Sequence, residues 1–123
     1  MKTIFVVEPD KMLQQTYVNA LSKASRQIIT FRTANLAVRA LEKVIPDVVL
    51  LELALPGHNG FELLYELRSY ADTRKVKVIV NSFLEEKSLP WGYVSREDLG
   101  IVDYLHKPFA SLGDVQKAIN AVC

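Results

Sequence analysis

The sequence has little cysteine and no long apolar run, and each absence excludes a class of protein. Its single cysteine, Cys123, has no second cysteine to pair with, so the disulfide framework of a small secreted domain cannot form. The apolar run at residues 4–7 ends at Glu8, which makes it too short for the core of a signal peptide. No stretch approaches the roughly 20 apolar residues that a bilayer-spanning helix needs. We therefore predict a cytoplasmic protein that does not use a membrane.

A strong charge of either sign is also missing. Fifteen lysines and arginines face fourteen aspartates and glutamates, which gives a formal net charge of +1. Because so small a charge creates no steering field, we predict no nucleic-acid partner and interpret the basic run at residues 74–77 as a solvated face. Glycine is absent after the first apolar run, where Glu8, Pro9 and Asp10 stand instead of a phosphate-cradling loop. We therefore predict no bound cofactor.

Five short apolar runs alternate with segments of helical periodicity along the 123 residues. The runs are residues 4–7, 28–31, 48–51, 76–80 and 101–105. The run at 48–51 is continuous rather than alternating, which is typical of a parallel strand covered on both faces. The intervening apolar stripes are interpreted as core-facing sides of helices. The pattern predicts one α/β domain over residues 1–123, a doubly wound parallel sheet of five strands with helices on both faces.

The fourth of the five predicted helices has the weakest signal. It has to fit within residues 83–99, which include Pro90 and Gly92, and proline inside a helix removes a backbone hydrogen bond. We expect a short, broken or displaced helix there. Trp91 and Tyr93 in the same segment have two open interpretations, exposed anchors for a partner or a cover over the core.

Acidic, hydroxyl and lysine side chains follow the predicted strands directly. Glu8 and Asp10 come after the first strand, Glu52 after the third, Ser82 at the end of the fourth, and Lys107 after the fifth. In open α/β sheets the working crevice lies at the carboxyl ends of the strands. We therefore expect these side chains to meet at one edge of the sheet.

Three segments together resemble the receiver domain of bacterial two-component response regulators. They are PDVVLLELALPGHNGFELL at residues 46–64, VIVNS at 78–82 and DYLHKPF at 103–109. The likeness covers essentially the whole chain in order. It implies a flavodoxin-like sheet with strand order 2-1-3-4-5 and a cis peptide between Lys107 and Pro108 that directs the lysine into the site.

The sequence departs from what a phosphorylatable receiver needs at two positions. A receiver uses an aspartate as the nucleophile and Mg²⁺ held by carboxylates. Glu52 stands where the resemblance implies the acceptor aspartate, and its extra methylene moves the carboxylate by about one bond length. Pro9 stands in the acidic pair and has no carboxylate. Asp10 could reach inward as a metal ligand or cap the first helix. We predict no catalytic residue and no bound metal.

At three other positions the sequence has the residue type that the receiver resemblance implies. Lys107, Ser82 and Tyr104 match the lysine, the switch hydroxyl and the switch aromatic residue. We hypothesise that Glu52 and Lys107 form a direct ion pair across the phosphate site, with Glu8 in the same network. Glu8, Glu52, Ser82 and Lys107 would then form a degenerate phosphorylation site. Simpler interpretations remain: Ser82 as a helix cap and Tyr104 as strand packing.

The predicted function is that of a pseudo-receiver, which acts by protein–protein interaction without phosphorylation and is not an enzyme. We expect a partner protein or a fused output domain, or a homodimer, at the face of the fourth helix, fifth strand and fifth helix. The alternative is a phosphorylatable receiver that uses Glu8 and Asp10 for Mg²⁺ and Glu52 as the acceptor. His58 and His106 match no metal-ligand spacing.

Overall fold

A computed structural model of the chain describes residues 1–56, 60–89 and 94–123. His58, Trp91 and Tyr93 lie outside these ranges. Five strands form one sheet: β1 (Lys2–Val7), β2 (Arg26–Phe31), β3 (Val48–Leu51), β4 (Lys77–Ser82) and β5 (Ile101–His106). They pair in parallel in the order β2-β1-β3-β4-β5, which confirms the predicted architecture and strand order.

The four α-helices of the described residues divide between the two faces of the sheet. They are α1 (Lys11–Leu21), α2 (Ala34–Ala40), α3 (Gly60–Ser69) and α4 (Leu112–Val122). One hydrophobic core lies between helices α2 and α3 and the face of the sheet that carries the Phe5 side chain. The other lies between helices α1 and α4 and the face that carries the Ile4 side chain. Neighbouring strand residues point to opposite faces, so the continuous apolar strands are buried on both sides.

Three of the helices, α1, α2 and α4, follow residues whose side chains accept backbone hydrogen bonds. Asp10 caps α1, Thr33 caps α2, and Ser111 forms a capping box with Asp114 at the start of α4. The second helix ends at Ala40, which is earlier than its apolar stripe predicted, and turns follow it. None of the helices in the described ranges has the length and apolar character needed to cross a bilayer.

The segment between β4 and β5 has no α-helix among its described residues. It contains a 3₁₀ helix, η1 (Glu86–Ser88), and a turn that ends at Gly100. The prediction of a short or broken fourth helix is confirmed for this part of the chain. Gly100 has a φ of +75°, and a Cβ there would overlap the Arg68 guanidinium, which donates to the carbonyl oxygen of Val76 at 2.5 Å.

The predicted cis peptide between Lys107 and Pro108 is wrong. The described residues contain no cis peptide, so this bond is trans. The backbone N–H of Lys107 donates to the carbonyl oxygen of Ser82 at 2.7 Å, which extends the β4–β5 ladder by one residue. That hydrogen bond fixes the start of the lysine side chain, whose four-carbon stem then reaches the site without a cis bond.

Candidate functional site

Three charged side chains follow the ends of β1, β3 and β5 at the carboxyl edge of the sheet. The backbone N–H of Glu8 donates to the Phe31 carbonyl oxygen at 2.9 Å, and that of Glu52 donates to the Val7 carbonyl oxygen at 3.0 Å. Together with the Lys107 N–H, these bonds continue the parallel ladders beyond the strand ends. The sheet therefore fixes the three Cα positions from which the side chains converge.

Lys107 binds both glutamates. Its Nζ lies 2.5 Å from Glu8 Oε1 and 2.9 Å from Glu52 Oε1. The three side chains are nearly closed to solvent, with exposures of 7%, 4% and 2% for Lys107, Glu8 and Glu52. The predicted ion pair between Glu52 and Lys107 is confirmed, and Glu8 joins it as expected. Two carboxylates share one ammonium, so the buried cluster has a formal charge of −1.

Every oxygen of the Glu52 carboxylate has a donor. Oε2 accepts hydrogen bonds from the Ser82 hydroxyl and from the Ala54 N–H at 3.0 Å. Oε1 accepts from Lys107 and from the Phe83 N–H at 3.2 Å. Burial by itself would raise the pKa of Glu52, but the hydrogen bonds from Ser82, Ala54 and Lys107 outweigh it and hold the pKa below its ordinary value. The carboxylate is therefore charged and fully solvated by the protein.

The ammonium of Lys107 is stabilised in the same way. Burial favours its neutral form, yet the hydrogen bonds to Glu8 and Glu52 outweigh this and raise the pKa of Lys107. The Phe83 ring covers the ammonium, with 4.6 Å from Nζ to the ring centroid. This cation–π contact further stabilises the charged form of the lysine.

The side chain of Asp10 takes no part in this cluster. Its Oδ1 accepts from the N–H groups of Met12 and Leu13 at 2.9 and 3.1 Å, and the residue is exposed. Of the two interpretations left open by the sequence, capping of α1 is confirmed. The Asp10 N–H itself donates to Glu8 Oε2 at 2.9 Å.

The residues at this edge, as arranged, do not form a magnesium site. The described residues gather no group of three histidine, cysteine, aspartate or glutamate side chains that could hold a metal ion. The space between Glu8 Oε1 and Glu52 Oε1 is filled by the Lys107 ammonium. The other oxygen of each glutamate, Oε2, already accepts a hydrogen bond, from the Asp10 N–H in Glu8 and from the Ser82 hydroxyl in Glu52. Mg²⁺ requires near-octahedral oxygen ligation, which this arrangement does not offer.

Ser82 and Tyr104 are linked through the loop that follows β4. The Ser82 hydroxyl donates to Glu52 and accepts from the Leu84 N–H at 3.1 Å. The Tyr104 hydroxyl donates to the Leu84 carbonyl oxygen at 2.7 Å. Burial, followed by the negative charges of Glu52 and Glu86, raises the pKa of Tyr104 to about 12, so its proton stays available for this bond. Ser82 thus caps the following turn and also binds the carboxylate.

Sequence reasoning missed two residues beside the cluster. Asn81 is buried in β4, and its Nδ2 donates to the Tyr17 hydroxyl at 2.8 Å. An asparagine inside an otherwise apolar strand was the signal that could have drawn attention to this polar pair. The exposed ring of Phe83 was the other omission, and nothing in its local sequence predicts its position over Lys107.

Comparisons with known proteins agree with the fold. The model of the response regulator receiver domain family matches residues 4–120. Protein PilH of Pseudomonas aeruginosa is 32% identical, with 99% of this chain and 98% of PilH covered. KdpE of Escherichia coli is 28% identical, but the match spans only 50% of its length. The solved structure of the chemotaxis response regulator CheY4 of Vibrio cholerae has the same fold, with a TM-score of 0.84 at 18% identity over 100% of this chain and 99% of CheY4.

Proposed function

Since this chain belongs to the response regulator receiver domain family, we propose that it works as a pseudo-receiver that binds a protein partner without being phosphorylated. In this proposal the domain is a binding module rather than an enzyme. Its expected compartment is the cytoplasm. The low net charge supports a protein partner over nucleic acid.

One observation carries the proposal: the Lys107 ammonium lies between Glu8 and Glu52, within hydrogen-bond distance of both. A phosphoryl donor would have to reach Glu52 past Phe83 and displace Lys107 from both carboxylates. Each carboxylate would then lose a buried, charge-assisted hydrogen bond. The Glu52 carboxylate also holds the Ser82 hydroxyl, so the lysine and the hydroxyl that the resemblance assigns to phosphoryl oxygens are already bound.

We extend the proposal to the conformation of the loop after β4. Glu52 accepts from Ser82 and from the Phe83 N–H, while Leu84 bonds to Ser82 and Tyr104. These hydrogen bonds link the buried carboxylate to the surface face of β5. The longer glutamate side chain would then hold the loop in one conformation permanently, in the way that a phosphorylated aspartate would hold it for a time.

Phosphorylation can be tested against a variant that restores the residues implied by the family resemblance. Wild type and the double variant Pro9→Asp/Glu52→Asp are incubated with Mg²⁺ and acetyl phosphate, and each intact mass is measured. We expect an added phosphoryl group on the double variant and none on the wild type. A stable phosphoryl adduct on wild-type Glu52 would support the alternative function, in which Glu8 and Asp10 bind Mg²⁺ and Glu52 is the acceptor.

The face formed by η1, β5 and α4 is the proposed partner surface. Val102 and Leu84 are exposed there, and Glu85, Lys87 and Tyr104 line an open cleft of about 650 Å³. Exposed apolar side chains beside charged ones are typical of protein interfaces. The partner could be a separate protein, an output domain or a second copy of the chain, since the relatives include PilH, matched over 98% of its length, and the longer KdpE.

A charge placed on this face tests the surface. Val102 and Leu36 are similarly exposed, at 46% and 45%, and Leu36 lies on α2, at the β2 end of the sheet and away from β5. We expect Val102→Asp to abolish self-association in sedimentation velocity, or partner capture where the chain is monomeric. Leu36→Asp is the matched control and should leave both unchanged. Equal self-association or partner capture by the two variants would refute the assignment of this face as the partner surface.

A further inference from the structure

A small cavity opens beside the charged cluster, between α1, the end of β4 and the start of α4. Its volume is about 260 Å³. Apolar side chains form most of its wall, namely Leu13, Tyr17, Phe83, Leu112 and Val115. An apolar cavity of about 150 Å³ is already large enough to take up benzene. The space therefore suits a molecule with a single ring and a short substituent.

The polar part of this wall is a buried pair with an unused hydrogen-bonding group. Asn81 is only 3% exposed, and its Nδ2 donates to the Tyr17 hydroxyl at 2.8 Å. Asn81 Oδ1 is buried and has no hydrogen-bond partner among the residues that the structure describes. Turning the carboxamide around would let Tyr17 donate to the oxygen but would leave the NH₂ group without an acceptor. Either orientation thus leaves one end of Asn81 unsatisfied.

A buried amide group without a partner is costly, and such groups are rare in folded proteins. The second hydrogen of Nδ2 is available as a donor next to the unpartnered Oδ1, so the free edge of Asn81 offers one donor and one acceptor side by side. The same pair of groups lets asparagine bind an adenine edge through two hydrogen bonds. A ligand with the complementary pair would satisfy both atoms at once.

We propose that this cavity binds a small, uncharged aromatic molecule that carries a carboxamide or an equivalent donor–acceptor edge. Its N–H donates to Asn81 Oδ1, its carbonyl oxygen accepts from Asn81 Nδ2, and its ring packs between Leu13 and Val115. The glutamine side chain of a partner protein has the same edge but would leave most of the apolar space empty. Lys107 also lines the cavity, but its ammonium is held by the glutamates, which favours an uncharged ligand.

Benzamide and N,N-dimethylbenzamide are the probes that test this proposal, because the second lacks the N–H groups. Each is titrated into the ¹⁵N-labelled full chain and followed by NMR. We expect benzamide to give saturable shifts of the Asn81 side-chain amide and of Leu112 and Val115 in the millimolar range that so few atoms allow. Dimethylbenzamide should bind at least about fivefold more weakly, because it leaves Oδ1 without a partner.

Two variants separate the site from general binding to the surface. Asn81→Leu keeps the branching of the side chain at Cγ but removes both hydrogen-bonding atoms, and it should weaken benzamide binding about tenfold, the equivalent of one to two net hydrogen bonds. Asn19→Leu is the matched control, since Asn19 is exposed on α1, and should bind like wild type. Equal affinity of the two probes for wild type, or unchanged affinity in Asn81→Leu, would overturn the proposal. The probe comparison needs no variant and stands even where Asn81→Leu fails to fold.

Discussion

Replacing Lys107 with methionine removes the only cation that contacts Glu8 and Glu52 in the described part of the chain, while it keeps a side chain of similar length. Two carboxylates with exposures of 4% and 2% are then left facing each other without a counter-charge. Removing one partner of a buried ion pair costs about 3–5 kcal/mol. A domain of this kind has a free energy of unfolding of roughly 5–15 kcal/mol, so the variant should fold but be much less stable than the wild type.

The loss of stability should depend on pH in a defined direction. In the wild type, the lowered pKa of Glu52 adds stability above its unfolded value of about 4.3, and this is lost as the pH falls through the folded pKa. The raised pKa of Lys107 adds stability below about 10.4, and this is lost as the pH rises through the folded pKa. In Lys107→Met the pKa of Glu52 should rise instead, because its charged form stays buried after the ammonium is lost. The difference in stability between the two proteins should therefore shrink as the pH falls toward the ordinary glutamate pKa of about 4.3.

Urea unfolding followed by far-ultraviolet circular dichroism measures this difference. With a slope of about 1–3 kcal/mol per molar urea, the expected loss lowers the midpoint by on the order of 2 M near neutral pH. Lys75→Met is the control, because Lys75 is exposed, and should stay within about 0.5 kcal/mol of wild type. A Lys107→Met midpoint that equals the wild type at every pH would refute the proposed role of the cluster.

Three further substitutions test the contacts around the cluster. Ser82→Ala leaves the Glu52 carboxylate one donor short, so we expect a loss of about 1–3 kcal/mol and a higher Glu52 pKa in a ¹³C NMR titration. Tyr104→Phe removes the bond to the Leu84 carbonyl oxygen, so it should cost about 0.5–1.5 kcal/mol and speed hydrogen exchange in the loop after β4. Gly100→Ala forces a side chain into a positive-φ position against Arg68 and should lower stability by about 2 kcal/mol in urea unfolding.

Local patterns were sufficient to predict a parallel sheet with helices on both faces, whereas the strand order was implied by the family resemblance. The continuous apolar run at Val48–Leu51 predicted a buried strand and the helical stripes predicted core-facing sides, and the burial in the structure agrees with both. The meeting of Glu8, Glu52 and Lys107 could also be predicted, because parallel strands bring their carboxyl ends to the same edge.

Features that depend on long-range geometry could not be predicted in this way. The peptide before Pro108 is trans and the Lys107 N–H joins the β4–β5 ladder, and no local pattern of the sequence predicts either feature. The position of Phe83 over the ammonium depends on the loop after β4, which lacks a helical period. The Asn81–Tyr17 pair joins residues 64 positions apart in the chain, and the sequence offered only a polar residue beside Ser82 at the end of an apolar strand.

Selective ¹³C labelling of the glutamate carboxyl groups allows the state of Glu52 to be followed at neutral pH while MgCl₂ is added. If the Lys107 ammonium occupies the space between Glu8 and Glu52, their carboxyl resonances should shift no more at millimolar Mg²⁺ than the resonance of exposed Glu97, which serves as the reference. A saturable shift of the Glu8 and Glu52 resonances would mean that Mg²⁺ displaces the lysine, and the account of a lysine-closed site would then be contradicted.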